Sequence, residues 1–224
     1  MDFFRVMIDF GKRKRFACGC LAEITEYKRT LCPVCGIERV TPNYQQMFKD
    51  KKWNMKIFMD REHYADFLSS QIRGIVSEKT KKILIENFNN AVDFGNIEMI
   101  SFRDLTEQKL QEIRNCYGYA AVKKIPNDPP QYYRLLLKQG AELDFQKTNI
   151  ELTVDCSKCG RKRYATPGCS YHEGTPYIIE STWKGYDIFY IEGMGNTVFC
   201  TERFIEIYNQ NKLTGLEFEK VQTV

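Results

Sequence analysis

Histidine is almost missing from this 224-residue chain, which has only His63 and His172. A hydrolase or transferase built around an imidazole base therefore has few options. Other marks of catalysis are missing too: there is no Gly-x-Ser-x-Gly elbow, phosphate-binding Gly-rich loop, His-Glu-x-x-His pair or dinucleotide fingerprint. His63 reads as a solvent-facing residue on the polar side of a short helix. Glu217 and Glu219 alternate along a strand-like run and read as its exposed face. The expectation is a protein that is not an enzyme.

Long apolar runs are lacking as well. Met1 to Phe10 is interrupted by Asp2, Arg5 and Asp9, so it lacks the apolar stretch a secretory signal needs. No segment reaches the roughly 20 apolar residues that span a bilayer, and the expectation is a cytoplasmic protein without a membrane partner. An excess of one charge is also missing, since 33 basic residues face 29 acidic ones. That balance alone does not imply a polyanion partner. The densest run, Lys12-Arg13-Lys14-Arg15, reads as a solvated hairpin turn, with phosphate contact as the sharper alternative. Hydrophobic content of 43% suits a globular chain that can bury a substantial core.

Cysteine, by contrast, is abundant: there are nine. The odd number and the close pairs do not resemble a disulfide framework, and reduced thiols fit better. Four of them form two knuckles of one pattern, Cys32-Pro33-Val34-Cys35-Gly36 and Cys156-Ser157-Lys158-Cys159-Gly160. Two thiolates three positions apart reach one tetrahedral ion only if the chain turns sharply after the second, and glycine permits that turn. Backbone N–H groups can then point at the sulfurs.

Three partitions of the thiols are open. One ribbon-like zinc site would use Cys32, Cys35, Cys156 and Cys159. Two local sites would use Cys18/Cys20/Cys32/Cys35 and Cys156/Cys159/Cys169/His172, and the third possibility is no metal. Closing the long loop costs about 4 kcal/mol, against roughly 10–16 kcal/mol contributed by structural zinc, so the shared site is feasible. Cys18-Gly19-Cys20 offers a poorer bite, and His172 alone reads as a loop histidine. Cys116 and Cys200 read as small buried hydrophobes. Four thiolates leave no open position for water, so the ion would be structural.

Periodicity points to an α+β class: antiparallel sheets with a few helices and a zinc-ribbon-like site formed by the two distant knuckles. Strands are expected at Phe4–Ile8, Phe16–Leu21, Glu23–Leu31, Ile97–Phe102, Tyr132–Lys138, Ile150–Val154, Tyr177–Ser181, Asp187–Ile191, Thr197–Cys200 and Leu216–Val221. Helices are expected from Arg61 to Ile72, after Ser77, after Thr106 and after Thr201, each of the last three behind a hydroxyl cap. One domain, 1–224, would combine a ribbon-like part from about 1–45 and 145–175, an inserted α/β region 46–144 and a strand-helix-strand part 176–224. A weak echo links Val76-Ser77-Glu78-Lys79 to Cys200-Thr201-Glu202-Arg203, each opening a helix-then-strand unit. Chance and shared helix geometry in two halves both account for it.

The order of parts resembles the bacterial double-CXXCG motif family, which includes immunity proteins of the myxobacterial swarming-inhibition toxin system. The resemblance spans nearly the whole chain. It rests on the opening Met-Asp-Phe-Phe, the two knuckles with Arg161, and Asp187-Ile188-Phe189 … Thr201-Glu202-Arg203-Phe204 … Leu213-Thr214-Gly215-Leu216-Glu217-Phe218. It implies an immunity protein, or antitoxin, that binds a cognate protein toxin and blocks it stoichiometrically, with Cys32, Cys35, Cys156 and Cys159 as ligands of structural zinc. Cys18, Cys20, Cys169 and His172 lie outside the motif. The alternative is a nucleic-acid-binding zinc ribbon, motivated by Lys12–Arg15, by Lys79, Lys81 and Lys82, and by Arg161-Lys162-Arg163.

Overall fold

Residues 1–8, 16–24, 28–41, 55–68, 74–166, 175–195 and 197–224 are described by the computed structural model. They form two large sheets, two separate hairpins and five α-helices, an α+β architecture dominated by strands. The run Lys12–Arg15, Cys169 and His172 lie outside the described residues.

The first half is organised around a six-stranded sheet. Its strands are β2 (Gly19–Ile24), β5 (Met55–Met59), β6 (Phe67–Leu68), β7 (Ile75–Ser77), β8 (Val92–Met99) and β9 (Tyr132–Leu137), in the order β2-β5-β8-β9-β7-β6. Helix α1 (Glu78–Phe88) follows β7, and Thr80, Leu84 and Phe88 are buried at intervals of four. That spacing places them on one face. The Ser77 hydroxyl accepts a hydrogen bond from the Thr80 N–H, and Glu78 stands in the positive first turn. Helix α2 (Glu107–Tyr117), capped by Thr106, lays Leu110 and Ile113 over Phe58 and Cys20. The short α3 (Tyr119–Val122) follows it.

The second sheet has seven strands. These are β1 (Phe3–Ile8), β10 (Gln139–Leu143), β13 (Tyr177–Ile179), β14 (Ile188–Ile191), β15 (Val198–Thr201), β16 (Leu216–Lys220) and β17 (Gln222–Thr223), in the order β16-β1-β15-β14-β10-β13-β17. The short α4 (Phe145–Thr148) follows β10, and α5 (Glu202–Gln210) follows β15. Neither sheet is wholly antiparallel, contrary to expectation. β5 runs parallel to β8, β10 to β14, and β13 to β17.

The two sheets share one motif. In the first, strands β6 and β7 form an antiparallel pair, α1 crosses over, and β8 lands one place beyond β7, with β9 filling the gap antiparallel to both. In the second, β14 and β15 pair, α5 crosses over, β16 lands one place beyond β15, and β1 fills the gap. The echo seen in the sequence is therefore a repeat of topology. Thr80 and Leu84 are the third and seventh residues of α1; Phe204 and Tyr208 hold the same places in α5, and all four are buried. The two units meet in one core, where Phe67, Leu84 and Phe88 pack with Ile188, Phe204 and Tyr208.

An aspartate precedes the first strand of each unit and anchors its helix start. Ser77 N–H donates to the Asp66 carbonyl at 2.9 Å, and the Ser77 hydroxyl donates to Oδ1 of Asp66 at 3.0 Å. Likewise Thr201 N–H donates to the Asp187 carbonyl at 3.0 Å, and its hydroxyl donates to Oδ1 of Asp187 at 2.6 Å. Thr201 occupies the N-cap position of α5 without a side-chain capping bond, whereas the Ser77 hydroxyl both donates to Asp66 and caps α1.

Two other expectations are corrected. The helix expected from Arg61 to Ile72 is absent from the described part of that span, where Phe67–Leu68 is a strand paired with β7. Its helical spacing arose from side chains that face different clusters, Phe67 toward one core and Leu68 toward another. His63 is exposed as expected but sits on an irregular segment, its ring stacked on Phe16 at 4.7 Å. The strand expected at Ile97–Phe102 begins earlier, at Val92, and stops at Met99. Ser101 and Asp104 form a capping box there that turns the chain into a 3-10 turn.

Candidate metal centre

Each knuckle is the tip of a two-stranded hairpin. The first joins β3 (Lys28–Leu31) to β4 (Glu38–Thr41), and the second joins β11 (Glu151–Cys156) to β12 (Arg161–Ala165). In the first tip the Gly36 N–H donates to the Cys32 carbonyl at 2.9 Å; in the second the Gly160 N–H donates to the Cys156 carbonyl at 2.7 Å. Gly36 and Gly160 have φ of +67° and +65°. A Cβ at either would meet nothing within 4 Å, so backbone conformation rather than space selects glycine here. The two tips are the same device built twice.

The hairpins bring their sulfurs together across 124 positions of sequence. Cys32 Sγ lies 3.8 Å from Cys156 Sγ, and Cys35 Sγ lies 3.7 Å from Cys159 Sγ. All four sulfurs fall within 4.8 Å of one another. A tetrahedral ion with metal–sulfur bonds of about 2.3 Å requires sulfur–sulfur edges of about 3.8 Å, so the donor set fits such an ion. Cys32 and Cys156 are buried, while Cys35 and Cys159 are half-buried. Among the described residues, no other group of three or more His, Cys, Asp or Glu ligand atoms is gathered this tightly.

Local electrostatics prepare the sulfurs unequally. Backbone N–H groups of Cys35 and Val34 hold the Cys32 thiol down at about 6, because each stabilises the thiolate. For Cys35 the Ile37 N–H acts in the same sense. Burial and hydrogen bonding with Cys156, Cys32 and Cys159 outweigh it and push that thiol up to about 11. Four thiols crowded this way share charge badly until a cation replaces their protons.

The remaining cysteines are elsewhere. Cys18 and Cys20 bracket the start of β2, where the Cys18 N–H donates to Asp60 Oδ1 at 2.7 Å. The Cys20 thiol points at the Cys18 carbonyl, and its interaction with Cys18 together with burial drives its pKa far up. Neither belongs to the four-sulfur group. Cys200 is fully buried, as expected, whereas Cys116 is exposed. Helix α2 turns Leu110 and Ile113 inward, and Cys116 falls to one side of that stripe.

The lysine trio is engaged within the fold. Lys79 Nζ donates to the Asn211 carbonyl at 3.0 Å, Lys81 Nζ lies 3.6 Å over the Tyr133 ring, and Lys82 pairs with Glu78 at 3.8 Å. The residues that carry the family resemblance make structural contacts as well. Asp187 receives Thr201 and Arg203, the latter at 2.6 Å to Oδ2. Thr214 donates through both its N–H and its hydroxyl to Oδ2 of Asp66.

No protein-family model matches this chain, and no curated protein matches it. Among the described residues, no helix is long and apolar enough to cross a membrane.

Proposed function

We propose that the four thiolates hold one structural zinc ion in a ribbon-like site, and that the chain is an immunity protein that binds and neutralises a cognate protein toxin without catalysis. The observation that carries the metal is the pair of sulfur–sulfur edges at 3.8 and 3.7 Å, which suits a closed tetrahedral shell. Zinc is favoured because four thiolates in tetrahedral array suit a borderline-soft d10 ion, and a complete protein shell has no position left for an activated water.

The toxin-binding reading rests on the likeness to the double-CXXCG motif family. Its support is that the shared residues have scaffold work to do in this chain: the knuckles join distant hairpins, Thr201 and Arg203 grip Asp187, and Thr214 grips Asp66. A family can keep such a scaffold while it varies the surface that meets the partner. The engagement of Lys79, Lys81 and Lys82 within the fold weakens the nucleic-acid alternative.

The test is co-expression of this chain with the candidate toxin encoded beside it. Growth rescue, together with a stoichiometric complex of the two purified proteins, is the expected result. Failure to rescue against every neighbouring gene product would remove the immunity reading while leaving the zinc assignment to metal analysis.

A further inference from the structure

The knuckle hairpins differ from the rest of the molecule in charge. Residues 28–41 and 151–165 together carry seven basic and three acidic residues, a net of +4, which equals the net charge of the whole chain. The other 26 basic and 26 acidic residues cancel. Part of this excess balances the centre itself, since a dication on four thiolates carries a net negative charge. The positive groups nevertheless reach outward: Lys158, Lys162 and Arg163 are exposed, and Arg161 is half-exposed.

The same hairpins expose apolar side chains. Leu31 is 71% accessible and Val34 is 67% accessible, the highest values among the exposed large hydrophobic residues described. Isolated apolar residues on a surface are ordinary. These two flank Cys32 on one tip, beside Pro33, which is also exposed. The tip is held by its own turn and by the approach of Cys156 and Cys159. An apolar tip fixed by its turn, on a pair of hairpins with a net positive charge, is a preorganised contact surface, since little ordering cost remains on binding.

We propose that this metal-pinned end, with Leu31 and Val34 as apolar anchors and Lys158, Arg161, Lys162 and Arg163 as the cationic flank, docks an acidic protein surface that offers an apolar pocket. The proposal rests on the protein-binding reading above and gives its partner a chemistry. Charge complementarity selects an acidic partner and speeds the encounter. The apolar anchors select protein over nucleic acid, because phosphate contacts draw on basic, hydroxyl and amide groups and leave two exposed aliphatic side chains without a role.

The test begins with a random 12-residue peptide library displayed on phage and panned on the zinc-loaded full-length chain. Enriched peptides are expected to be net acidic with an aliphatic or aromatic anchor. They should lose binding at least tenfold to Leu31→Ser/Val34→Ser and to Lys162→Glu/Arg163→Glu, with zinc content and melting temperature of both variants unchanged. Neutral or basic winners, or winners indifferent to both variants, overturn the proposal. A 20-base-pair DNA duplex serves as the second probe. Salt-dependent DNA binding lost in Lys162→Glu/Arg163→Glu but kept in Leu31→Ser/Val34→Ser overturns it in favour of nucleic acid. Sedimentation of the chain alone as a dimer that Val34→Ser dissociates overturns it in favour of a second copy. Rescue from the neighbouring toxin separates the two readings: if both variants rescue like wild type, this face is wrong and immunity stands. If wild type fails to rescue, immunity is wrong and the peptide selection still decides the face.

Discussion

The carboxylate of Asp66 binds Thr214, 148 positions further along the chain, through both the threonine N–H at 3.1 Å and its hydroxyl at 2.9 Å. The other carboxylate oxygen receives Ser77 at the start of α1. In return the Thr214 carbonyl accepts from the Phe67 N–H. One side chain thus couples the helix start of the first unit to the link between α5 and β16 in the second. Asp66→Asn removes the charge and replaces one acceptor oxygen by a donor, so at least one hydroxyl must reverse its bond or lose it. A loss of about 2–3 kcal/mol is expected, since hydrogen bonds to a charged group contribute about 1.5–3 kcal/mol. Urea denaturation of the mutant and of Thr214→Val checks it, and the double mutant should be less than additive.

Gly215 adjoins that junction. Its φ is +101°, and a Cβ there would stand 2.0 Å from the Phe67 carbonyl oxygen. Gly215→Ala is expected to cost about 3 kcal/mol or more, since strain and a backbone clash add. Gly36→Ala, at φ +67° with nothing within 4 Å, should cost only about 1–2 kcal/mol from the left-handed backbone. Calorimetric melting of the two variants side by side measures the difference.

Metal removal should act on both hairpins at once. The purified chain is expected to hold one zinc per molecule by elemental analysis, and Cys32→Ser and Cys156→Ser are each expected to abolish tight binding. If only one of them does, the shared site is wrong.

Zinc affinity should rise with pH. The metal takes thiolates, so binding expels protons from those cysteines that still hold them. At neutral pH the Cys32 thiol, held down at about 6, is already largely ionised, while Cys35, pushed up to about 11, is not. Acidification therefore favours the metal-free state. Competition with a chromophoric chelator across pH 6 to 8 reads the slope; a flat profile would contradict thiolate ligation.

Cysteine labelling should discriminate by position. Cys116 is exposed on α2, whereas Cys200 is fully buried and its thiol is pushed up by burial and by the Asp187 charge. Brief maleimide treatment of the native protein, followed by peptide mass analysis, is expected to modify Cys116 and to spare Cys200.

The four clustered cysteines were legible in the sequence because the knuckle's requirement is local. A knuckle needs two sulfurs, a tight turn and glycine within five residues, and both appear in full. That Cys32 would meet Cys156 was the step that spacing left open. Helices α1, α2 and α5 were legible for the same reason, each with a hydroxyl at the N-cap and an apolar stripe behind it. Strand β5 was missed, since four of its five residues are buried and the period-two alternation is lost. Strand β6 was misread because two residues are too few to show any period. Asp66 and Asp187 as anchors lie beyond local pattern altogether. The available hint was an aspartate ahead of a short apolar pair, then a hydroxyl and an acid, repeated in both halves.

The gap that β9 fills in the first unit is filled in the second by β1, whose Phe3 pairs with Thr201 across 198 positions of sequence. During synthesis β1 therefore waits for β15 and β16, which leave the ribosome about 200 residues later. Among the described residues β16 pairs with β1 alone. Trimming a few residues from the amino terminus should accordingly injure the far end of the molecule, opening β15 and β16 to proteases while the β6–β9 unit keeps its protection.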